Sequence, residues 1–274
     1  MHTPGPHGPR NRAGHFSPFT TQALATGSGV ALGIHCFSGS PGIAEAAVAG
    51  GLDFIVIDCE HSLNSESDIV HCARAVQAAG ADAWVRIALI DAGVGRLLDF
   101  GIDGLVLSRA SASRLQALLA EALYADAGNG GGRGACPAVR AAGYSAGDWG
   151  QFAARANEQL WLVPLVEDRA GVADALALAA CPQVRALFVG AFDLAADLGV
   201  AHTDLRKGPL AQAFGAIASA AARHGKPLMV STGTDPDMGY VAWLKSQGVR
   251  IFSTGADVQT VRAAAVRAQA LRAS

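Results

Sequence analysis

The amino-acid sequence predicts a single-domain α/β protein with the fold of a (β/α)8 barrel, also called a TIM barrel. First, eight short apolar segments alternate with segments of helical pattern along the chain. Second, no change of composition marks a domain boundary between residues 19 and 274, a usual length for one such barrel. Third, ionisable residues directly follow several of the apolar segments. A doubly wound open sheet is the alternative, but no GxGxxG fingerprint follows the first predicted strand.

The predicted strands are short runs rich in apolar and β-branched residues. In chain order they cover residues 30–37, 54–58, 83–87, 104–108, 160–167, 186–193, 227–232 and 250–255. The second run is apolar from Phe54 to Ile57, which is typical of a parallel strand that helices cover on both faces.

Helices are predicted between the strands from the spacing of apolar residues and from residues that mark helix ends. They cover residues 19–28, 42–50, 65–79, 92–99, 112–125, 149–157, 169–179, 209–224, 235–247 and 257–272. Ser40 is placed to cap the second helix, with Pro41 at its first position. Gly101 is placed to stop the helix that ends at Asp99.

Two stretches interrupt the alternation of strands and helices. Residues 128–149 begin with the run from Gly128 to Gly134, where regular structure would carry a high entropy cost. Long loops of this kind are usually functional or mobile. A phosphate-binding loop is an alternative, but the run does not lie between a strand and a helix start. Residues 194–208 form the second irregular stretch.

Composition and charge argue against several classes of protein and partner. A net charge of −2 argues against a nucleic-acid partner, and no apolar run has the ~20 residues that a membrane-spanning helix needs. The five cysteines lack CxxC spacing, which predicts free thiols in a reducing cytoplasm. Residues 1–18 contain prolines and histidines but no apolar core of a signal peptide, and they predict a disordered tail.

In a barrel, the polar residues at the carboxyl ends of the strands share one rim. The candidates at this rim are Asp58, Glu60, His61, Arg86, Ser108, Arg109, Glu167 and Asp193. Glu167 and Asp193 end adjacent predicted strands, and such a carboxylate pair suits a hard divalent cation. The alternative is that both are N-caps of the helices that follow.

These residues and several ordered motifs resemble the HpcH/HpaI aldolase family over about residues 20–270. The motifs are Asp58-Cys59-Glu60-His61, Val85-Arg86, Leu98-Asp99-Phe100-Gly101, Arg133-Gly134, Ala156-Asn157-Glu158, Glu167, and Gly190-Ala191-Phe192-Asp193-Leu194. The resemblance implies a class II aldolase, a carbon–carbon lyase that cleaves or forms 2-keto-4-hydroxy acids through a pyruvate enolate. It also implies a small 2-keto acid substrate, a divalent metal such as Mg²⁺, with Mn²⁺ or Co²⁺ as alternatives, and a homo-oligomer, either hexamer or dimer.

The resemblance also implies a role for each matching residue. Glu167 and Asp193 match the metal ligands, and Arg86 matches the arginine that binds the keto oxygen. His61 matches the general base, Asp99 matches the carboxylate that supports this base, and Asp58 and Glu60 match the carboxylates that orient the histidine and the metal waters. Gly190, Phe192 and Asp193 match the wall that binds the substrate. The alternative for Asp99 is a plain helix end. No lysine ends a predicted strand, which argues against a Schiff-base aldolase.

Three departures from the family pattern leave alternative functions open. Leu165 replaces a common glutamine, Phe192 makes the wall beside the metal bulkier, and the glycine run replaces a Pro-x-Gly-x-Arg-Gly loop. One alternative is a citrate synthase-like condensation of oxaloacetate with acetyl-CoA in siderophore biosynthesis. Another is a non-catalytic barrel that only binds a ligand.

The last predicted helix carries an apolar stripe at helical spacing. Its members are Val258, Val261, Ala265, Ala268 and Leu271. The stripe predicts either packing on the helix's own barrel or contact with another subunit.

Overall fold

The computed structural model describes residues 18–26, 29–88, 90, 93–126, 130–145 and 147–272. Eight parallel strands form a closed barrel in sequence order, and β8 pairs with β1. The predicted fold class is therefore confirmed. The strands are β1 (Ala31–Cys36), β2 (Phe54–Asp58), β3 (Asp82–Ile87), β4 (Gly104–Leu107), β5 (Leu162–Val166), β6 (Leu187–Val189), β7 (Leu228–Ser231) and β8 (Val249–Ala256). The predicted tail lies outside the described residues, except for residue 18.

Helices cover the outside of the barrel. They are α1 (Pro18–Ala25), α2 (Pro41–Ala49), α3 (Glu66–Ala79), α4 (Gly93–Phe100), α5 (Ala112–Ala122), α6 (Trp149–Gln159), α7 (Arg169–Ala180), α8 (Ala191–Leu198), α9 (Gly208–Arg223), α10 (Met238–Ser246) and α11 (Asp257–Ala268). Two short 3-10 turns cover Arg140–Ala142 and Gln269–Arg272. As predicted, Ser40 caps α2 and Pro41 follows it. None of the helices in the described ranges is long and apolar enough to cross a membrane.

Aromatic side chains fill the part of the barrel interior that lies near the amino ends of the strands. The rings of Phe54 and Trp84 stack with centroids 4.3 Å apart. Gly33 makes room for Phe54, and a Cβ at Gly104 would lie 2.8 Å from the indole of Trp84. This packing fills the barrel interior near the amino ends of the strands in the described part of the chain.

The sixth strand and the helix after it differ from the prediction. β6 ends at Val189, and α8 replaces both the predicted strand end and the start of the second irregular stretch. Leu194 and Ala195 are buried at helical spacing, and Gly199 ends the helix with a φ of +71°. Asp193 consequently lies in the first turn of α8 and not at the end of a strand.

The first irregular stretch agrees with the prediction where the structure describes it. α5 ends at Ala122, three residues earlier than predicted, and Tyr124 then forms an isolated parallel bridge with Arg133. Residues 127–129, which include the first two residues of the glycine run, lie outside the described part of the chain.

Candidate active site

A cavity of about 750 Å³ opens at the carboxyl ends of the strands. It is lined by six of the predicted site residues, namely His61, Arg86, Glu167, Gly190, Phe192 and Asp193. Because these residues come from four different strand ends, the barrel brings together side chains that are more than 100 positions apart in sequence. This rim is where TIM-barrel enzymes carry their active sites.

Asp58 holds the arginine of the cavity and the turn after β2. The register of β2 and β3 places Asp58 directly beside Arg86. Asp58 is fully buried, and its Oδ2 accepts hydrogen bonds from Nε and Nη2 of Arg86. Its Oδ1 accepts a hydrogen bond of 2.7 Å from the backbone N–H of His61. A buried cation with such a partner is held in one orientation.

Glu60 lies between the arginine and the histidine. Its Oε2 accepts a hydrogen bond of 2.5 Å from the Ser108 hydroxyl and lies 3.4 Å from Nη1 of Arg86. The same oxygen is 3.6 Å from Nε2 of His61, just beyond hydrogen-bond distance. The His61 side chain is 56% exposed and therefore faces the solvent side of the cavity.

Glu167 is a nearly buried carboxylate that the chain supports from one side. Its Oε1 accepts a hydrogen bond of 2.7 Å from the backbone N–H of Arg109, a residue with a φ of +47°. Burial raises the pKa of Glu167 to about 7, and the nearby carboxylates of Glu60 and Asp193 add to this rise. A Cβ at Gly190 would lie 2.7 Å from the Cβ of Glu167, so only glycine fits at this position.

Glu167 and Asp193, the two predicted metal ligands, both line the cavity. No group of three or more His, Cys, Asp or Glu side chains in the described ranges is placed to hold a metal ion. Mg²⁺ binds through one or two carboxylates and takes its other ligands from water and substrate oxygens. A pair of carboxylates that line one cavity fits this preference, and a bound cation would favour the charged form of Glu167, which burial and the nearby carboxylates disfavour.

Asp99 lies in a different cluster from the other predicted site residues. Its Oδ1 accepts hydrogen bonds from Nη2 of Arg133 at 2.6 Å and from the Tyr124 hydroxyl at 3.4 Å. The guanidinium of Arg133 also stacks over the Tyr124 ring, at 4.2 Å from its centroid. Asp99 is not among the described residues that line the cavity, and its role toward His61 stays a prediction.

The sequence analysis did not single out His35, which also lines the cavity. It is the fifth residue of β1, and its neighbours in sequence, Ile34 and Cys36, are apolar. The alternation of Ala31, Gly33 and His35 on the inner face of β1 is the signal that could have identified it.

Comparisons with known proteins agree with this fold and identify the family of the chain. Residues 32–264 match the model of the HpcH/HpaI aldolase/citrate lyase family. A hydroxypyruvate/pyruvate aldolase of Paraburkholderia phytofirmans is 34% identical over 200 residues, which cover 68% of this chain and 73% of that protein. The solved structure of a family member from Burkholderia cenocepacia has a TM-score of 0.80 and 28% identity, covering 92% of this chain and 98% of that one.

A solved citrate synthase, SbnG, has a TM-score of 0.75 at 24% identity, covering 89% of this chain and 93% of that one, and it therefore supports the fold alone. The citrate synthase-like alternative is accordingly weaker than the aldolase, and the predicted enzyme class, a carbon–carbon lyase, is confirmed. The chain belongs to the HpcH/HpaI aldolase/citrate lyase family.

Proposed function

We propose that this protein is a divalent-metal-dependent aldolase that cleaves and forms 2-keto-4-hydroxy acids through the enolate of pyruvate or a close analogue. The observation that carries the proposal is the Arg86 guanidinium, fixed by a buried carboxylate at the wall of a cavity that also contains Glu167 and Asp193. Cleavage breaks the bond between C3 and C4, and an enolate oxygen develops where the keto oxygen was. The Paraburkholderia relative, named for hydroxypyruvate and pyruvate, supports this class of donor.

Arg86 stabilises the negative charge of the enolate. Two of its nitrogens are held by Asp58, so its remaining N–H groups point in a fixed direction before the substrate arrives. Glu167 and Asp193 would hold the cation. When bound, a divalent cation polarises the keto group and stabilises the same developing charge.

The first turn of α8 binds the carboxylate of the keto acid. Gly190, Ala191, Phe192 and Asp193 all line the cavity, and the cap of this helix makes no side-chain hydrogen bond. The first N–H groups of a helix have no partners within it and attract anions. A carboxylate at this position places the adjacent keto group beside Arg86 and Glu167.

His61 takes the proton of the C4 hydroxyl when the bond breaks and returns it in the condensation direction. Imidazole has an intrinsic pKa close to neutral, which suits a general base. Its backbone N–H is fixed by Asp58, while its exposed ring can move between solvent and substrate.

Removing the metal tests whether aldol cleavage depends on a divalent cation. We expect a chelator to abolish aldol cleavage, and Mg²⁺, Mn²⁺ or Co²⁺ to restore it. Glu167→Gln should weaken the affinity for Mn²⁺ strongly, because a neutral amide is a poorer ligand for a hard cation. Titration of Mn²⁺ followed by electron paramagnetic resonance measures this affinity without turnover.

The matched control for this variant is Asp168→Asn, the same chemical change one residue along the chain. Asp168 caps α7 through the Gly171 N–H at 2.7 Å, a role that asparagine also fills. It should bind Mn²⁺ like the wild type. Full cleavage activity in excess chelator would contradict the proposed cofactor.

We also propose that the protein is a homo-oligomer, either a hexamer or a dimer. The last helix contacts its own barrel at its first residue, Asp257, but the apolar stripe is not buried there. Val258, Val261 and Leu271 are 47%, 57% and 80% exposed. Apolar stripes of this kind usually mark contacts between proteins.

Light scattering at micromolar concentration should therefore give two or six times the chain mass of 27.9 kDa. Val261→Asp should lower the measured mass by placing a charge in the stripe, while Arg267→Glu, which changes charge off the stripe, should not. A monomeric wild-type protein would refute the prediction.

Five free cysteines support a reducing compartment, the cytoplasm, as the place of action.

A further inference from the structure

His35 is a buried histidine of the cavity that the proposed mechanism does not use. It lies on the inner face of β1 and is only 6% exposed. Its ring stacks on Phe188 with centroids 5.9 Å apart and an angle of 29° between the planes. The ring is therefore held rigidly, and one of its nitrogens is already engaged with the barrel.

The neighbouring strand favours one tautomer of His35. Nδ1 of His35 lies 2.8 Å from the hydroxyl of Ser253, a fully buried residue of β8. The Ser253 hydroxyl is placed to donate its single proton to the carbonyl oxygen of Gly255, at 3.4 Å. The tautomer consistent with this donation has the hydrogen on Nδ1, donated to Ser253, and a lone pair on Nε2.

Nε2 of His35 is buried, and no group in the described part of the chain forms a hydrogen bond with it. Burial, with the charge of Arg86, lowers the pKa of His35 to about 4, although Asp58, the Gly255 carbonyl and Asp257 oppose this. The ring is consequently neutral at physiological pH. A buried acceptor without a partner is rare in proteins and is costly unless a ligand supplies the donor.

The charge of Arg86 also limits which donor can approach. A cationic ligand group at Nε2 would be repelled by the nearby guanidinium, whose charge already disfavours protonation of this ring. A carboxylate or a keto oxygen has no proton to give. The donor that fits is a neutral O–H group.

We propose that Nε2 of His35 accepts a hydrogen bond from a hydroxyl group of the substrate, and that the enzyme selects substrates that carry a hydroxyl next to the reacting carbonyl. This inference rests on the proposed aldolase function and names its substrate class. The hydroxyl has two sources, a 3-hydroxylated keto acid such as hydroxypyruvate, or a 2-hydroxyaldehyde such as glycolaldehyde.

The test compares hydroxyl, fluorine and hydrogen at each of these two positions. Fluorine is close to a hydroxyl in size but has no proton to donate. Hydroxypyruvate, fluoropyruvate and pyruvate are paired with acetaldehyde in one series. Glycolaldehyde, fluoroacetaldehyde and acetaldehyde are paired with pyruvate in the other. The ratio of kcat/KM for the hydroxyl compound to that for the fluoro compound is measured with Mg²⁺ for the wild type and His35→Phe.

His35→Phe keeps an aromatic ring beside Phe188 and removes the acceptor. We expect the ratio to fall about 10- to 100-fold in one series, the effect of losing a buried hydrogen bond, and that series identifies the hydroxyl's source. Ser253→Ala should lower the same ratio several-fold by freeing the ring tautomer. If His35→Phe does not fold, the ratio measured for Ser253→Ala tests the proposed hydrogen bond.

Unchanged ratios in both series would overturn the proposal. A loss that is equal for the hydroxyl and fluoro compounds would also overturn it, because the ring would then act by shape alone. Absence of aldol product with the wild type in every pairing would contradict the proposed function itself, a different result from normal activity with unchanged ratios.

Discussion

Replacing Arg86 by alanine is expected to lower aldol cleavage and proton exchange at the pyruvate methyl group together, each by about 10²–10³-fold. In the proposed mechanism both reactions pass through the enolate, and Arg86 is the cation that stabilises its oxygen. Losing one preorganised donor to a developing charge costs rate in every reaction that forms this charge. Deuterium exchange into pyruvate, followed by NMR beside a cleavage assay, measures both rates on one sample.

The same substitution also affects the folded state, and the experiment must separate the two effects. Without Arg86, the fully buried carboxylate of Asp58 loses its cationic partner. Breaking a buried ion pair on one side typically costs about 3–5 kcal/mol of stability. Asp58→Asn/Arg86→Met removes both charges and should regain much of the stability while remaining inactive.

Two controls complete the comparison for Arg86. Arg86→Lys keeps the charge but loses the two-point contact with Asp58. Its rates of cleavage and exchange should lie between those of the wild type and the alanine variant. Arg96→Ala removes an exposed arginine whose ion pair with Glu66 lies on the surface, and both rates should stay at the wild-type level. If Arg86→Ala leaves both rates within a few-fold of the wild type, the enolate assignment is wrong.

Replacing His61 by alanine is expected to give a different pattern, with cleavage lowered by about 10²–10⁴-fold and methyl exchange lowered much less. Cleavage requires a base at the C4 hydroxyl, and His61 is the imidazole at the exposed side of the cavity. Exchange involves only the methyl carbon of pyruvate, where water that enters the open cavity can take the proton. The measurement is the ratio of the two rates from the same pair of assays.

His71→Ala is the matched control, since His71 is an exposed histidine on α3. It should leave the ratio of the two rates unchanged. Equal losses of cleavage and exchange in His61→Ala would assign His61 to formation of the enolate instead of the hydroxyl proton.

The positions of the strands were predictable from sequence because each depends on a local pattern. β2 was predicted to the residue, since an apolar run ends abruptly at Asp58. The sequence Asp-x-Glu-His at that end also predicted a site, because side chains at the carboxyl ends of barrel strands share one rim. Asp193 was misplaced because the apolar residues before it fit a strand as well as a helix start.

The contacts between site residues were not predictable, because they depend on register and packing between distant segments. The resemblance implied that Asp58 orients His61, and Oδ1 of Asp58 does accept a hydrogen bond from the His61 backbone. The second contact, between Oδ2 and Arg86, depends on the pairing of β2 with β3 and has no local signal. His35 was hidden for a related reason, since its partner Ser253 is 218 positions away and meets it only when the barrel closes. The resemblance to a family supplied roles for residues, but not which neighbour holds each of them.

The two oxygens of Asp58 serve two different elements, and this has an evolutionary consequence. One oxygen fixes the guanidinium of Arg86, and the other fixes the backbone of the turn that carries His61. A substitution that shifts this carboxylate should therefore disturb both the Arg86 guanidinium and the turn that carries His61. We expect the effects of substitutions at Asp58 and Arg86 not to be additive, because the two side chains are in direct contact. We expect new substrate preferences to arise from substitutions elsewhere on the rim, at residues that the Asp58 carboxylate does not hold.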